Sequence, residues 1–216
     1  MELPLFPLNS VLFPGATLAL HIFEERYKQM IHWCLENNSP FGVLLIRSGS
    51  EVDEPAEPFD VGTTAHIVRV QHLDDGRMNL VCLGQQRLRL SRKVSESPYV
   101  VGDVQALEST EGEGHEARDL ASTVAALFAE YYRLFLAVSN QWSRQIGMPS
   151  SPGELADFVA SRLSVDLSTK QRLLEEISVR RRLEMELDTL SDTIRDLTPK
   201  VDAARAHRWR ALGPMN

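Results

Sequence analysis

LPLFPL at residues 3–8 opens the stretch that decides the fold, and VLFPG at 11–15 and TLALHIF at 17–23 continue it. Proline has no N–H to give to a central sheet ladder, so the prolines confine these apolar runs to strand starts, edges or bulges. The Pro-Gly pair of the second run is typical of a turn. Residues 17–23 are predicted to form a buried strand.

The spacing of apolar residues changes directly after this strand. Tyr27, Met30, Ile31, Cys34 and Leu35 recur at i, i+3, i+4, i+7 and i+8, which predicts one buried face of a helix.

Short apolar or β-branched runs separated by turn residues follow this helix as far as residue 107. The sequence Asp74-Asp75-Gly76 is a hairpin turn, and residues 48–58 form an acidic surface loop. Leu88 and Leu90 are expected to point inward, while Arg87 and Arg89 face solvent. The predicted strands occupy residues 41–46, 61–70, 78–83, 86–90 and 99–107, and their number indicates a barrel or sandwich.

Residues 109–116 are polar and are predicted to form a linker, after which the apolar period is helical to the end. Capping boxes at Ser151 and Ser168 predict the starts of two further helices. The first helical stripe consists of Leu120, Val124, Leu127, Phe128, Tyr131, Phe135, Val138, Trp142 and Ile146.

The last helix has a seam with the 4, 3, 4, 3, 4 spacing of a heptad pattern: Leu183, Leu187, Leu190, Ile194, Leu197 and Val201. Pro199 is expected to kink or stop this helix. The seam could pack against the helix at residues 120–146 or form a protein–protein contact. We expect the first, which predicts a monomer or a weak dimer.

Composition restricts the function. The net charge is −7, and residues 1–110 alone hold 9 Lys and Arg against 14 Asp and Glu. Neutralising phosphates needs a basic surface, so nucleic acid is not an expected partner. Arg87, Arg89, Arg92 and Lys93 form a basic stripe without aromatic residues for base stacking, which is typical of a solvated strand face.

The sequence carries no secretory signal, and no apolar run approaches the ~18 residues that a membrane span needs. We therefore expect a cytoplasmic protein with no membrane partner. Cys34 and Cys82 lie on apolar faces and are predicted to be buried free thiols.

The order of these motifs resembles the N-terminal, substrate-recognition domain of the ATP-dependent protease Lon. The resemblance covers residues 1 to about 197 and continues through the motifs at 41–43, 61–67, 83–88, 170–175 and 182–184. It implies an α+β fold, with a mixed, barrel-like (PUA-like) β subdomain and one packed helix, then a helical bundle ending in a long helix. The implied boundaries are 1–108 for the β-rich subdomain, 109–116 for the linker and 117–216 for the helical subdomain.

A Lon protease continues into ATPase and peptidase modules, which are not expected here. A phosphate-binding loop needs Gly-Lys-Ser/Thr, but none of Lys28, Lys93, Lys170 and Lys200 follows a glycine or precedes a hydroxyl residue. The chain also lacks a Gly-x-Ser-x-Gly motif. We predict a protein that is not an enzyme, with no catalytic residues and no cofactor.

No histidine pairs with another histidine or cysteine at metal-ligand spacing, so no metal is expected. His21, Glu24 and Arg26 are predicted to form a structural corner between a strand and a helix, since acids favour a helix N-terminus.

The resemblance implies a non-catalytic module that binds unfolded or exposed apolar polypeptide segments, or a protease or chaperone partner. The apolar residues expected to be exposed for this purpose are Leu12, Phe13, Pro14 and Phe59, although each could instead cover the barrel core. The alternative is a small-molecule-binding or RNA-binding protein that uses the barrel-like domain. A deep closed cavity would favour a small molecule, and a shallow apolar groove would favour a peptide.

Overall fold

The computed structural model describes residues 1–50, 56–112, 114–139 and 146–211. The order of its elements along the chain is β1 (Glu2–Leu8), β2 (Thr17–Ile22), α1 (Glu25–Glu36), β3 (Phe41–Ser48), β4 (Glu57–His72), β5 (Met78–Ser95), β6 (Val101–Leu107), α2 (His115–Val138), α3 (Pro152–Arg162), α4 (Leu167–Glu175) and α5 (Val179–Ala211).

The chain forms two compact units. The β-rich unit comprises residues 1–110 and 160–177, and the helical unit comprises residues 111–159 and 178–216. This division differs from the predicted boundaries because residues 160–177, including α4, pack with the β-rich unit. That unit is therefore assembled from two separate stretches of the chain.

The strands of the β-rich unit pair in a closed ring. β5 pairs with β4, β4 with β3, β3 with β1, β1 with β6, and β6 again with β5. The β1–β3 pair is parallel and the others are antiparallel, so the predicted mixed α+β architecture is confirmed. The two predicted strands at 78–83 and 86–90 are parts of one strand, β5. Residues 78–83 of β5 also pair with β2.

α1 covers one side of this sheet. Its buried residues are Tyr27, Met30, Ile31 and Cys34, which confirms the helical period, whereas Leu35 is exposed. They join an apolar cluster with residues of β1, β2 and β5. A smaller cluster of Leu3, Leu5, Leu44, Leu88 and Val104 fills the other part of the sheet. Both thiols, Cys34 and Cys82, are free and buried, as predicted.

The turn between β1 and β2 is fixed to the sheet by backbone contacts. Gly15 adopts φ +74°, in the left-handed region that favours glycine, and its N–H donates to the Gly84 carbonyl at 2.8 Å. The Gly84 N–H donates to the Ala16 carbonyl at 2.9 Å, and the Thr63 hydroxyl donates to the Leu12 carbonyl at 2.6 Å. The motifs at 61–67 and 83–88 thus hold this turn in place.

We expect Thr63→Val to lower the stability of the β-rich unit by about 1–3 kcal/mol, because it leaves the carbonyl of Leu12 without its hydroxyl donor in a buried place. Urea unfolding followed by circular dichroism measures this loss. Thr17→Val, at an exposed position of β2, is the control and should change stability by less than about 0.5 kcal/mol. Equal effects of the two substitutions would contradict the importance of this hydrogen bond.

Two buried polar side chains attach α4 to the strands. Arg87 donates from Nε to the Leu174 carbonyl at 2.9 Å, and Gln171 donates from Nε2 to the Val61 carbonyl at 3.0 Å. The prediction that Arg87 faces solvent is therefore wrong, because the end of α4 covers it. The capping prediction at Ser168 is also wrong, since α4 begins at Leu167 and Asp166 caps it through the Thr169 N–H at 2.9 Å.

In the helical unit, α2 packs along α5. Three seam residues, Leu183, Leu190 and Val201, are buried, and the other three are half-buried. The prediction that the seam packs within the chain is confirmed. Pro199 does not stop α5, which continues to Ala211; the hydroxyl of Thr198 donates to the Ile194 carbonyl at 2.8 Å beside it.

α2 ends at Val138, earlier than predicted. Ile146 lies outside any described helix, and Trp142 lies outside the described residues. In the part of the chain that the structure describes, α2 is the one helix long and apolar enough to cross a membrane, a test that core helices of soluble proteins also pass.

Candidate functional site

β2 is an edge strand of the β-rich unit. Within the described ranges it pairs with β5 alone, and its other edge has no strand partner. Exposure alternates along it, with Leu18, Leu20 and Ile22 turned towards the core and Ala19 and His21 exposed. An open strand edge presents unpaired backbone N–H and C=O groups.

The start of α1 closes one end of this edge. Tyr27 is buried, with its ring centroid 4.0 Å from that of Phe6, and the Arg26 guanidinium lies 4.6 Å from the centre of its ring. Arg26 also pairs with Glu24 at 2.8 Å. These contacts fix the direction in which the helix leaves the strand.

A partly open pocket of about 200 Å³ lies between the end of β1, the edge of β2 and the start of α1. Its wall is mainly apolar and is formed by Phe6, Leu8, Ala19, Leu20, His21, Ile22, Phe23, Glu24 and Tyr27. Phe23 is 52% exposed, and its ring stacks on that of His21 at 6.1 Å. An exposed aromatic residue beside an apolar pocket is typical of a surface that binds another polypeptide.

The lining of this pocket offers mainly apolar contact. Cys34 and Cys82 are the only thiols, and burial raises the pKa of each to about 12, so neither provides a thiolate nucleophile. No group of three or more His, Cys, Asp or Glu residues with metal-binding geometry occurs in the described part of the chain.

The predicted corner residues lie together, but they act in two separate contacts. Glu24 and Arg26 pair with each other at the start of α1. His21 instead faces β5, where its Nδ1 lies 2.7 Å from Oδ1 of Asn79. All three lie at or beside the pocket.

The structure separates the four residues proposed for peptide contact. Leu12 and Phe13 are 4% and 0% exposed, so the expectation that they are exposed is wrong; they cover the core, with their turn held against Gly84. Pro14 is half-buried beside them. Phe59 is half-buried within β4, and the Arg47 guanidinium covers its ring at 4.8 Å.

The four residues of the predicted basic stripe have different surroundings in the structure. Arg87 is buried under α4, Lys93 pairs with Glu57 at 2.8 Å, and Arg92 lies 3.8 Å from Asp103. Arg89 remains exposed. The stripe therefore does not provide the continuous row of cations that tracks a nucleic-acid backbone.

Sequence reasoning missed the pocket because its walls come from three elements. The missed residues are Phe6, Leu8, Ala19, Leu20, Ile22, Phe23 and Tyr27. One sequence feature could have indicated it: Phe23 extends an alternating strand by one large apolar residue on the exposed side, directly before the acids of a helix start.

Most of the chain matches a family model. The model of the ATP-dependent protease La (LON) substrate-binding domain family covers residues 2–192. This chain belongs to the Lon substrate-binding domain family. The resemblance inferred from the sequence motifs is thus confirmed, and the family is a substrate-binding module.

Relatives and solved structures agree with this assignment. Lon protease 2 of Myxococcus xanthus is 30% identical over 207 residues, which are 94% of this chain and 25% of that protein. The chain thus spans about a quarter of the length of the curated Lon relatives it matches. A Lon N-terminal domain protein from Xanthomonas campestris superposes with a TM-score of 0.65 at 31% identity, covering 87% of this chain and 98% of that one.

A more distant structure shows the same fold. The N-terminal domain of a Mycobacterium avium complex Lon protease superposes with a TM-score of 0.65 at 18% identity, over 89% of this chain and 99% of that one.

Proposed function

We propose that the protein binds exposed apolar segments of unfolded polypeptides at the pocket between β1, β2 and α1. The observation that carries this proposal is the exposed Phe23 at the rim of a mainly apolar pocket that is closed on one side by Tyr27 and Phe6. The family supports it, since its members are described as substrate-binding domains of an ATP-dependent protease.

The size of the pocket supports a peptide over a small molecule. Its volume of about 200 Å³ holds one large apolar side chain. Pockets for small molecules usually measure about 300–1,000 Å³ and place several polar groups around their ligand. Here the polar side chains in the lining are those of His21, Glu24 and Tyr27, and the rest of the wall is apolar.

We further infer that the protein acts without catalysis in the cytoplasm, as a monomer or weak dimer, and delivers its bound segments to a protease or chaperone partner. The seam on α5 supports the monomer, because each of its residues is buried or half-buried and an exposed apolar stripe would favour self-association. A pull-down from native cell extract, analysed for client proteins and protease subunits, tests the partner.

We expect Phe23→Ala to weaken binding of a fluorescein-labelled, chemically unfolded model protein by about five- to thirtyfold, since an aromatic contact at an interface contributes about 1–2 kcal/mol. Fluorescence anisotropy measures this affinity. Val94→Ala is the matched control, because Val94 is a 40%-exposed apolar residue of β5 outside the pocket. Equal affinities of the two variants would exclude the pocket as the binding site.

A further inference from the structure

The open edge of β2 has a defined pattern of unpaired backbone groups. The Gly84 N–H donates to the Ala16 carbonyl at 2.9 Å, immediately before β2 begins. In an antiparallel pair, residues that bond to the partner strand alternate with residues whose N–H and C=O point the other way. With the Cα partners Thr17–Leu83 to Ile22–Met78, the groups that point outward belong to Thr17, Ala19 and His21.

A side-chain contact supports this assignment. Residues of an antiparallel pair that exchange no backbone hydrogen bonds have their Cα atoms about 4.5 Å apart, which brings their side chains closer together. His21 and Asn79 are such a pair, and their side chains lie 2.7 Å apart.

The pocket opens at the same part of this edge. Ala19 and His21 line it from β2, while Phe6 and Leu8 line it from β1. Exposed edges are usually protected by lysine, proline or a bulge. β2 has the sequence TLALHI, with neither lysine nor proline, and the small side chain of Ala19 leaves its outward backbone groups accessible.

We propose that the polypeptide segment binds as an added β-strand along the open edge of β2. Its backbone exchanges hydrogen bonds with Ala19 and His21, and one large apolar side chain enters the pocket. This inference rests on the proposed function and specifies how the bound segment is held. Only an extended backbone supplies donors and acceptors at the two-residue repeat that Ala19 and His21 require.

Charge restricts which segments fit. Glu24 is the one carboxylate among the residues that line the pocket, and the β-rich half of the chain is acidic. Segments with uncharged or basic residues beside the apolar anchor are therefore preferred over acidic ones.

The test uses the labelled peptide Thr-Lys-Thr-Phe-Thr-Lys-Thr and a series in which each backbone nitrogen in turn is methylated. N-methylation removes one hydrogen-bond donor. In an added strand, donors that point to β2 alternate with donors that point away. We expect methylation to weaken binding by about tenfold at every second position and to have little effect between them, measured by anisotropy with the full chain.

A protein variant tests the same edge. Ala19→Pro removes an N–H that does not bond to β5, and proline is tolerated at such edge positions. We expect it to weaken peptide binding at least about tenfold while circular dichroism and the thermal midpoint stay close to those of the parent. Ala19→Ser, which keeps the N–H, is the matched control and should bind like the parent.

The outcomes are distinguishable. Binding that depends on Phe23 but shows no alternation along the methylated peptides would overturn strand addition and leave the pocket as the site. No binding of any peptide by the parent protein would overturn the proposed function together with this inference. If light scattering showed that the parent is a dimer and that Ala19→Pro is a monomer, the proposal would be overturned, because a second copy of this chain would then occupy the edge of β2.

Discussion

Arg182→Met is expected to lower the stability of the helical unit by about 3–5 kcal/mol. Arg182 is 0% exposed on α5, and its Nε lies 3.6 Å from Oδ1 of Asp157 on α3. Glu186, one turn further along α5, is also fully buried. Removing the cation leaves buried carboxylates without its charge, and breaking a buried ion pair from one side costs far more than breaking an exposed one.

Urea unfolding monitored by circular dichroism measures this effect, with Arg195→Met as the control. Arg195 approaches Asp192 more closely, at 2.7 Å, but both side chains are about two-thirds exposed or more, so its loss should cost less than about 1 kcal/mol. Similar losses for the two variants would show that the buried cluster does not depend on its charge. Combining Arg182→Met with Glu186→Leu should recover part of the lost stability, because the second substitution removes one of the buried carboxylates that no longer has the Arg182 charge nearby.

Gly84→Ala is expected to destabilise the β-rich unit by about 3 kcal/mol or more. A Cβ at this position would overlap the carbonyl oxygen of Phe13 and press on the side chain of Leu12. A clash with backbone is relieved only by moving the whole turn, which is held on both sides by the hydrogen bonds of Gly84 and Thr63.

The matched control is Gly147→Ala, since an added Cβ there meets no atom within 4 Å. We expect its free energy of unfolding to stay within about 0.5 kcal/mol of the parent. Thermal and urea unfolding of both variants decide the comparison. A Gly84→Ala protein as stable as the parent would mean that the turn can shift at little cost.

Much of the fold could be predicted because its residues repeat at regular intervals. The period of α1 placed Tyr27, Met30 and Ile31 on one buried face, and the structure confirms it. The turn at Asp74-Asp75-Gly76 followed from local chemistry, and Gly76 does adopt φ +77°. In both cases the deciding interactions lie within a few residues of one another.

Long-range contacts account for the errors at Arg87, Leu12 and Phe13. Arg87 alternates with leucines as a solvent-facing residue would, but α4, more than eighty residues later, supplies a carbonyl for its guanidinium. Leu12 and Phe13 lie in a turn, where apolar residues are often exposed. They are buried because hydrogen bonds from Gly84 and Thr63 hold that turn against the sheet. No local pattern reports such partners.

The candidate pocket depended on topology in the same way. Its walls come from β1, β2 and α1. The outer edge of β2 is open because β6 pairs with residues 87–95 of β5, beyond residues 78–83 that pair with β2. The predicted recognition function followed from the family resemblance, while the location that we propose for it required the strand order.

The return of residues 160–177 to the β-rich unit has a consequence for synthesis of the protein on the ribosome. All six strands lie before residue 110, but Arg87 obtains its buried partner only when α4 is present, so a nascent chain that stops near residue 110 lacks the helix that completes the β-rich unit. Proteins usually fold domain by domain from the N-terminus as they emerge. Here the β-rich unit can complete its folding only after residues 111–159, about half of the helical unit, have been translated. During that interval the incomplete β-rich unit would be exposed to nascent-chain chaperones.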